Sequence, residues 1–265
     1  MSPPGRPKGE FRSAQHAGAA TNWLLETRGL ARRFGAVVAA DDVTIRIASG
    51  ERVSLIGTNG AGKTTFVNMV TGYLTPDAGT IHFDGRDITG RPATEIARLG
   101  VNRSFQIPQL FLHLTLEENI LAALAARDPV GLADARAKDM AGVEAIMQRF
   151  ALTSQRHTRV SALPGGVRKL VDIAMVVALA PKLLLLDEPT SGVAASEKYA
   201  LMDVVVNALG AERATVVFIE HDMDIVRRYS ERVIAFAAGR ILADGAAEAV
   251  LGDPKVRELV TGERD

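Results

Sequence analysis

Hydrophobic positions near the start of this chain fall into short runs that are either alternating or continuous and rich in β-branched side chains. Such runs are typical of strands. Short strands are predicted at residues 23–27, 43–47, 53–56 and 80–83. Residues 64–71 show a helical pattern that stops at Gly72. The first part of the chain is therefore expected to be rich in strands, with one early helix.

A helical pattern dominates from about residue 94 to residue 169, with alanine-rich stretches around residues 120–127 and 133–150. Beyond it, helices and strands alternate. The predicted order is helix 169–180, strand 183–186, helix 196–209, strand Thr215–Ile219, helix Met223–Tyr229 and strand 233–236. Strands that alternate with helices form a parallel sheet covered on both faces. The pattern therefore predicts an α/β core that is interrupted by a helical lobe.

Composition supports a folded core and narrows the function. The chain has 265 residues, of which 47% are hydrophobic, so disorder is excluded for most of it. Its 31 Lys+Arg balance its 31 Asp+Glu, which argues against nucleic acid as the main partner because phosphate backbones need a basic excess. There is no Cys, so a disulfide scaffold and thiolate chemistry are excluded.

The N-terminal segment and the apolar runs bear on the membrane. Residues 1–22 contain several Pro and Gly residues and lack the apolar stretch of a signal peptide, so we expect a flexible tail. The longest apolar run, residues 173–180, has eight residues, far fewer than the ~20 that span a bilayer. We therefore expect the chain not to cross a membrane on its own.

A phosphate-binding loop lies between a predicted strand and a predicted helix. It matches G-x-x-x-x-G-K-[ST] as Gly57, Thr58, Asn59, Gly60, Ala61, Gly62, Lys63 and Thr64. Glycines let successive backbone N–H groups turn towards a phosphate, and the helix N-terminus adds partial positive charge. Lys63 is expected to reach the β- and γ-phosphates of ATP, and the Thr64 hydroxyl to ligate Mg²⁺.

Two carboxylates follow the apolar run 183–186 and complete this prediction. Ligands of parallel α/β sheets bind at the carboxyl ends of strands, where Asp187 and Glu188 stand. Asp187 is expected to hold Mg²⁺ directly or through its outer shell. Glu188 is expected to polarise the attacking water. The sequence therefore predicts a site for ATP and Mg²⁺ at this edge of the sheet.

From Leu24 to Glu263 the chain resembles the ATP-binding subunits of ABC transporters. The resemblance implies a P-loop NTPase (RecA-like) core, an N-terminal antiparallel β subdomain and a helical subdomain inserted at about residues 94–169 of a domain 23–265. It implies that Gln106 senses Mg²⁺ and the γ-phosphate, that His221 contacts the γ-phosphate and that an aromatic, Phe34, stacks on adenine. Further nucleotide contacts implied by the family are Thr65, Gly165 and Gly166.

Three segments are similar to the branched-chain amino acid importer ATPases: residues 110–119, residues 219–223 and the ending at residues 245–256. Those proteins are cytoplasmic subunits on the inner face of the membrane. They usually form one of two different ATPases beneath two permease subunits, which receive solute from a binding protein. ATPases of lipopolysaccharide export have a similar pattern, so export is the alternative. Whether this chain forms a homodimer or a heterodimer is left open.

The chain departs from the family at two places. The signature Leu-Ser-Gly-Gly-Gln reads Leu163-Pro164-Gly165-Gly166-Val167, and Pro164 removes both a hydroxyl and an N–H. Ala194 stands where the family usually has Asp or Asn. These departures keep open a regulatory subunit that binds ATP and hydrolyses it weakly, whereas intact Glu188 and His221 favour an active ATPase. A repair or translation ATPase of the family is a third possibility, but those carry insertions or tandem cassettes.

The segment 107–119, after Gln106, carries more apolar surface than a free loop would normally expose, from Leu110, Phe111, Leu112 and Leu114. We expect it to form part of the groove that receives a short permease helix. Local packing within the helical lobe is the alternative.

Overall fold

The computed structural model describes residues 23–127, 135–210 and 214–261. Its centre is a six-stranded sheet in the order β10-β9-β3-β8-β7-β6, in which β10 pairs antiparallel with β9 and the other pairs are parallel. The strands are β3 (Arg52–Ile56), β6 (Val101–Ser104), β7 (Leu183–Asp187), β8 (Thr215–Ile219), β9 (Arg232–Ala237) and β10 (Arg240–Ala246). The predicted tail at residues 1–22 lies outside the described residues.

A second, antiparallel sheet of four strands has the order β2-β1-β4-β5. Its strands are β1 (Trp23–Phe34), β2 (Val37–Ala48), β4 (Ala78–Phe83) and β5 (Arg86–Asp87). Alternate side chains of β1 and β2, such as Leu25, Ile45 and Ile47, are fully buried and pack with Phe66 against the core sheet. This period of two explains why the N-terminal strands could be predicted from the sequence.

Helices cover the core sheet and form a layer beside it. They are α1 (Lys63–Val70), α2 (Ala93–Leu99), α3 (Leu116–Arg127), α4 (Ala135–Arg149), α5 (Gly165–Ala178), α6 (Lys198–Gly210), α7 (Met223–Tyr229), α8 (Ala247–Leu251) and α9 (Pro254–Val256), followed by a π-helical turn (Arg257–Thr261). One buried cluster joins Ile120, Phe150 and Ile173 of this layer to Leu184 and Phe218 of the sheet. The predicted α/β class is confirmed by this arrangement.

Three strands were missed, the two-residue β5 together with β6 and β10, and one helix was placed too late. β6 lies inside the segment where the helical pattern was predicted to dominate, because Val-Asn-Arg-Ser carries no apolar run and depends on pairing with β7. β10 is a half-buried edge strand that contains Asp244 and Gly245, both poor strand formers. α5 begins at Gly165 and not at Lys169, because glycines that are weak helix formers occupy its first turn.

No helix in the described ranges is long and apolar enough to span a bilayer.

Candidate functional site

The loop between β3 and α1 requires glycine at two positions where the backbone passes close to neighbouring carbonyls. Gly57 has φ 151°, and a Cβ there would lie 2.6 Å from the Phe236 carbonyl oxygen. Gly62 has φ 109°, and a Cβ there would lie 2.5 Å from the Ala39 carbonyl oxygen. Any side chain at either position would meet both backbone strain and a clash. The backbone conformation of the loop therefore requires glycine at both positions.

Lys63 begins α1 and is buried at the bottom of this loop. Its Nζ donates to the carbonyl oxygens of Gly57, at 2.6 Å, and Thr58, at 3.2 Å. Burial lowers the pKa of Lys63, while the negative charges of Glu188 and Asp187 act in the opposite direction. The ammonium group therefore contacts the loop carbonyls and lies within the electrostatic influence of the two predicted carboxylates.

A pocket of about 240 Å³ opens above this loop. It brings together residues that are far apart in the sequence: Phe34, Val37, Ala39, Asn59, Gly60, Ala61, Gly62, Lys63, Thr64, Thr65, Asp187, Glu188, Ile219 and His221. Phe34 stands at its rim, 48% exposed, with the Arg32 guanidinium 5.1 Å from its ring centre. An exposed aromatic face at the rim of a polar loop is suited to stacking on a nucleobase.

Glu188 occupies the turn after β7 and is held on both carboxylate oxygens. Gln106 Nε2 donates to Oε2 at 2.7 Å, and His221 Nε2 lies 3.2 Å from Oε1. The Glu188 backbone is left-handed, with φ 46°, and its N–H donates to the Ile219 carbonyl at 2.8 Å. Such a conformation is costly for a residue other than glycine and requires support from its surroundings. The structure thus joins the three predicted catalytic side chains at one carboxylate.

Asp187 is also tied down, by residues that sequence reasoning missed. The Arg103 guanidinium pairs with Asp187 Oδ2 and also donates to Asn68 Oδ1, at 2.6 Å. Arg103 lies on β6, one of the missed strands, so no sequence signal connected it with the site. The pairing takes up one oxygen of Asp187, and Asp187 also lines the pocket.

The donor set of this pocket fits Mg²⁺. Magnesium in nucleotide sites takes one or two protein oxygens, completes its shell with phosphates and waters, and needs no cage of protein ligands. The exposed Thr64 hydroxyl and the Asp187 carboxylate could supply those oxygens. Within the described residues, no group of three or more His, Cys, Asp or Glu side chains could hold a metal ion.

Gly57 and Thr58, also predicted to contact nucleotide, belong to the loop but are not among the residues lining this pocket. The same holds for Gly165 and Gly166. They form the first turn of α5, where Pro164 is the residue before the helix and no described side chain caps the free N–H groups. A Cβ at Gly165 would meet none of the described atoms within 4 Å, and one at Gly166 would come no closer than 3.8 Å, to Glu197 Oε2. This turn therefore presents open backbone donors away from the phosphate-binding loop.

Two buried charged residues support the site and were not predicted. Glu220 accepts hydrogen bonds from the N–H and hydroxyl of Thr190, at 3.1 and 2.8 Å, and from the His221 N–H at 3.2 Å. Burial raises the pKa of Glu220. Lys169 of α5 is 2% exposed and reaches the backbone beside Gln106. No short sequence motif allowed the role of either residue to be predicted.

Taken together, the parallel sheet, the glycine loop and the two carboxylates define a P-loop NTPase. A family model described as ABC transporter matches residues 40–191. The chain belongs to the ABC transporter family and is an ATPase subunit of it.

Relatives and solved structures agree with this membership. The chain is 34% identical over 252 residues to the high-affinity branched-chain amino acid transport ATP-binding protein LivG of Salmonella typhimurium, covering 91% of this chain and 98% of that protein. BraF of Pseudomonas aeruginosa, described in the same words, is also 34% identical, over 250 residues, covering 91% of this chain and 98% of BraF. The ADP conformation of an ABC transporter cassette matches with a TM-score of 0.77 at 31% identity, covering 91% of this chain and 99% of that one.

Proposed function

We propose that this chain hydrolyses ATP in the pocket above the phosphate-binding loop and that this hydrolysis drives solute transport. The observation that carries the proposal is the Glu188 carboxylate, held by Gln106 and His221 beside Lys63 and Asp187. Neither the carboxylate pair nor the histidine would need this convergence if the loop only stabilised the fold.

In the proposed reaction, Glu188 accepts a proton from a water molecule as the water oxygen attacks the γ-phosphorus. The bond from the γ-phosphorus to the bridging oxygen breaks, and ADP leaves with the electron pair. Lys63 and the loop N–H groups neutralise charge on the phosphates, and Phe34 stacks on the base. Mg²⁺, held by Thr64 and Asp187, would supply further charge neutralisation to the β- and γ-phosphates. Gln106 and His221 orient Glu188 and sense the γ-phosphate.

We further propose that the solute is a branched-chain amino acid or a similar small molecule and that transport is inward. The support is the identity of 34% over nearly the whole chain to ATPases named for that transport. In this proposal the chain lies on the cytoplasmic face of the membrane, pairs with a second ATPase and acts beneath permeases that receive solute from a binding protein. Export remains the competing direction.

An exposed apolar surface supports docking to a permease. Ile107, Phe111, Leu112 and Leu114 are 74, 56, 46 and 37% exposed. Buried Asn119 fixes the backbone of Phe111 on both sides, accepting from its N–H at 2.9 Å and donating to its carbonyl at 3.1 Å. The side chain of Phe111 therefore projects from a rigid segment, as a docking residue should. Leu110, which was also expected at this surface, is half-buried and packs against the cluster of the helical layer. We name the four exposed residues the permease-facing patch.

Uptake into vesicles tests the transport proposal. The chain is assembled with permeases, a second ATPase and a binding protein in reconstituted vesicles that hold ATP in the lumen. Uptake of labelled leucine is then measured, with the binding protein and the leucine supplied outside. Uptake that depends on ATP and disappears in Lys63→Ala is expected. ATP hydrolysis by the complex without uptake of leucine, isoleucine or valine would show that the solute is different.

Phe111→Asp tests the permease-facing patch. Placing a charge there should abolish uptake by the assembled transporter and leave ATP binding by the isolated chain unchanged, since Phe111 lies outside the pocket. Leu259→Asp is the matched control, because Leu259 is 49% exposed on the C-terminal turn, away from the patch. Normal uptake by Phe111→Asp would place the permease contact elsewhere.

The altered signature turn supports one more proposal, that two ATP sites of a heterodimer turn over unequally. In the dimer implied for this family, each ATP lies between the phosphate-binding loop of one chain and the signature of the other. This chain contributes a complete loop but a signature turn in which Pro164 brings no hydroxyl and no N–H. ATP on its own loop should therefore turn over faster than ATP on the partner's loop.

A further inference from the structure

A buried ammonium group links α5 to the segment that carries Gln106 and to the carboxyl end of β7. Lys169 projects from α5 and is 2% exposed. Its Nζ donates to the carbonyl oxygens of Phe105 at 2.9 Å and Gln106 at 3.1 Å, and contacts that of Asp187 at 3.4 Å. The first two carbonyls belong to the segment that carries Gln106, and the third belongs to the residue before Glu188.

Asp172 holds the same segment from a position one turn further along α5. Its Oδ1 accepts from the Gln109 N–H at 3.1 Å. Lys169 and Asp172 are three residues apart and so lie on one face of the helix. Burial lowers the pKa of Lys169 and raises that of Asp172, and the attraction between their charges opposes both effects. We name the pair the α5 clamp.

Burying a lysine ammonium group costs free energy unless hydrogen bonds satisfy its donors. The acceptors that satisfy Lys169 therefore indicate which parts of the chain it holds. All three acceptors are backbone carbonyls of the residues around Gln106 and Glu188, and a backbone carbonyl can be moved only with its chain. Lys169 also stands one helical turn after Gly165, in the same rigid helix. Lys169 thus connects the helix that begins at Gly165 to the backbone of both segments.

We propose that Lys169 is a positioning residue for ATP hydrolysis. It fixes the backbone at Gln106 and Asp187 to α5, so that the side chains of Gln106 and Glu188 move with α5. The inference rests on the proposed function, in which Gln106 and Glu188 act on ATP. It adds a connection between two parts of this chain: the first turn of α5, which would meet the partner's nucleotide, and Glu188, which would act on the nucleotide bound by this chain.

The test separates positioning from binding. Lys169→Met keeps the apolar stem and removes the donors. In the assembled transporter, kcat for ATP should fall by about 10- to 100-fold, because small misplacements of catalytic groups cost rates of this order. KM for ATP, and the affinity of the isolated chain for a fluorescent ATP analogue, should stay within about two-fold, since Lys63 and its loop are untouched. Hydrogen exchange should rise at residues 105–109 and stay unchanged in the phosphate-binding loop.

Lys182→Met is the matched control. Lys182 directly precedes β7, at the end opposite to Asp187, and pairs with Asp84 at the surface. Its kcat should stay within about two-fold of the parent, as exposed pairs contribute little. If Lys169→Met does not fold, Lys169→Gln replaces it, because the neutral amide side chain is one bond shorter and cannot reach all three carbonyls. The expected result is the same: a lower kcat with unchanged KM and ATP affinity.

An unchanged kcat in the Lys169 variant would overturn the proposal. Parallel loss of kcat and ATP affinity, with a lower unfolding temperature, would also overturn it by showing a purely structural role. The parent and Lys63→Ala are measured alongside. A parent that neither binds nor hydrolyses ATP would contradict the proposed function itself, and that outcome is visible without the Lys169 variant.

Discussion

The phosphate-binding loop and the first turn of α5 both place glycines at the start of a helix, but they differ in how strictly the structure requires each glycine. Gly57 and Gly62 have positive φ angles and lie against neighbouring carbonyls, and Lys63 is buried between loop and carboxylates. At the signature turn, a Cβ added to Gly165 would have no neighbour among the described residues within 4 Å, and Pro164 replaces a residue that would bring a hydroxyl.

The difference concerns the two halves that this chain would bring to ATP sites in a dimer: the loop half, built on residues 57–64, and the signature half, built on residues 163–167. It indicates what each half needs in order to bind nucleotide. The loop is completed by its own chain, through Gln106, Asp187, Glu188 and His221. The signature turn offers open N–H groups, and no described side chain caps them. We infer that the loop half can hold a nucleotide before any partner arrives, whereas the signature half acts only when a partner's nucleotide is brought to it.

The largest expected effect is that of Lys63→Ala. Removing a preorganised cation at a developing charge costs about 10²–10³ in rate, and the loop carbonyls that Lys63 contacts would lose their donor. ATP binding or turnover should become unmeasurable. Titration of the purified chain with a fluorescent ATP analogue measures this, and unchanged affinity would contradict the assignment of the loop as the phosphate site.

Glu188→Gln should block turnover and preserve binding. The amide keeps the size of the side chain and can still accept from Gln106, but it cannot take a proton from water. ATP should remain bound and hold a dimer together, which size-exclusion chromatography with ATP and Mg²⁺ detects. Hydrolysis at the rate of the parent would show that Glu188 is not the base.

How much of this could be predicted from the sequence depended on whether the residues of a feature are contiguous. The loop at residues 57–64 and the pair Asp187 and Glu188 follow directly from local motifs between predictable elements. Gln106 and His221 needed the family resemblance, because a single Gln or His has no chemical meaning until its neighbours are known.

The residues that were missed depend on tertiary placement. Arg103 pairs with a carboxylate 84 positions away, and Lys169 reaches carbonyls 63 and 64 positions away. β6 could not be recognised because its four residues become a strand only by pairing with β7. Buried charged residues without a motif are therefore the part of this site that required the three-dimensional structure.

Alanine at one glycine of each half gives a smaller, sharper test of the comparison. Gly62→Ala should destabilise the chain by about 1–3 kcal/mol, through strain at φ 109° and the contact with Ala39. Gly165→Ala should be neutral or stabilising by up to about 1 kcal/mol, since alanine favours the helix. Urea unfolding of both variants measures the difference, and equal destabilisation would contradict the view that only the loop restricts its glycines.

The central claim is that this chain supplies a complete loop half and an altered signature half. It is tested most directly in the assembled heterodimer, by placing the Glu→Gln change in each ATPase chain separately and measuring steady-state ATP hydrolysis. Glu188→Gln in this chain should remove most of the activity, and the equivalent change in the partner should remove little. A homodimer of this chain should hydrolyse ATP weakly, because both its signatures are altered. Equal losses from the two changes, or a fully active homodimer, would contradict the claim and make Pro164 a neutral replacement.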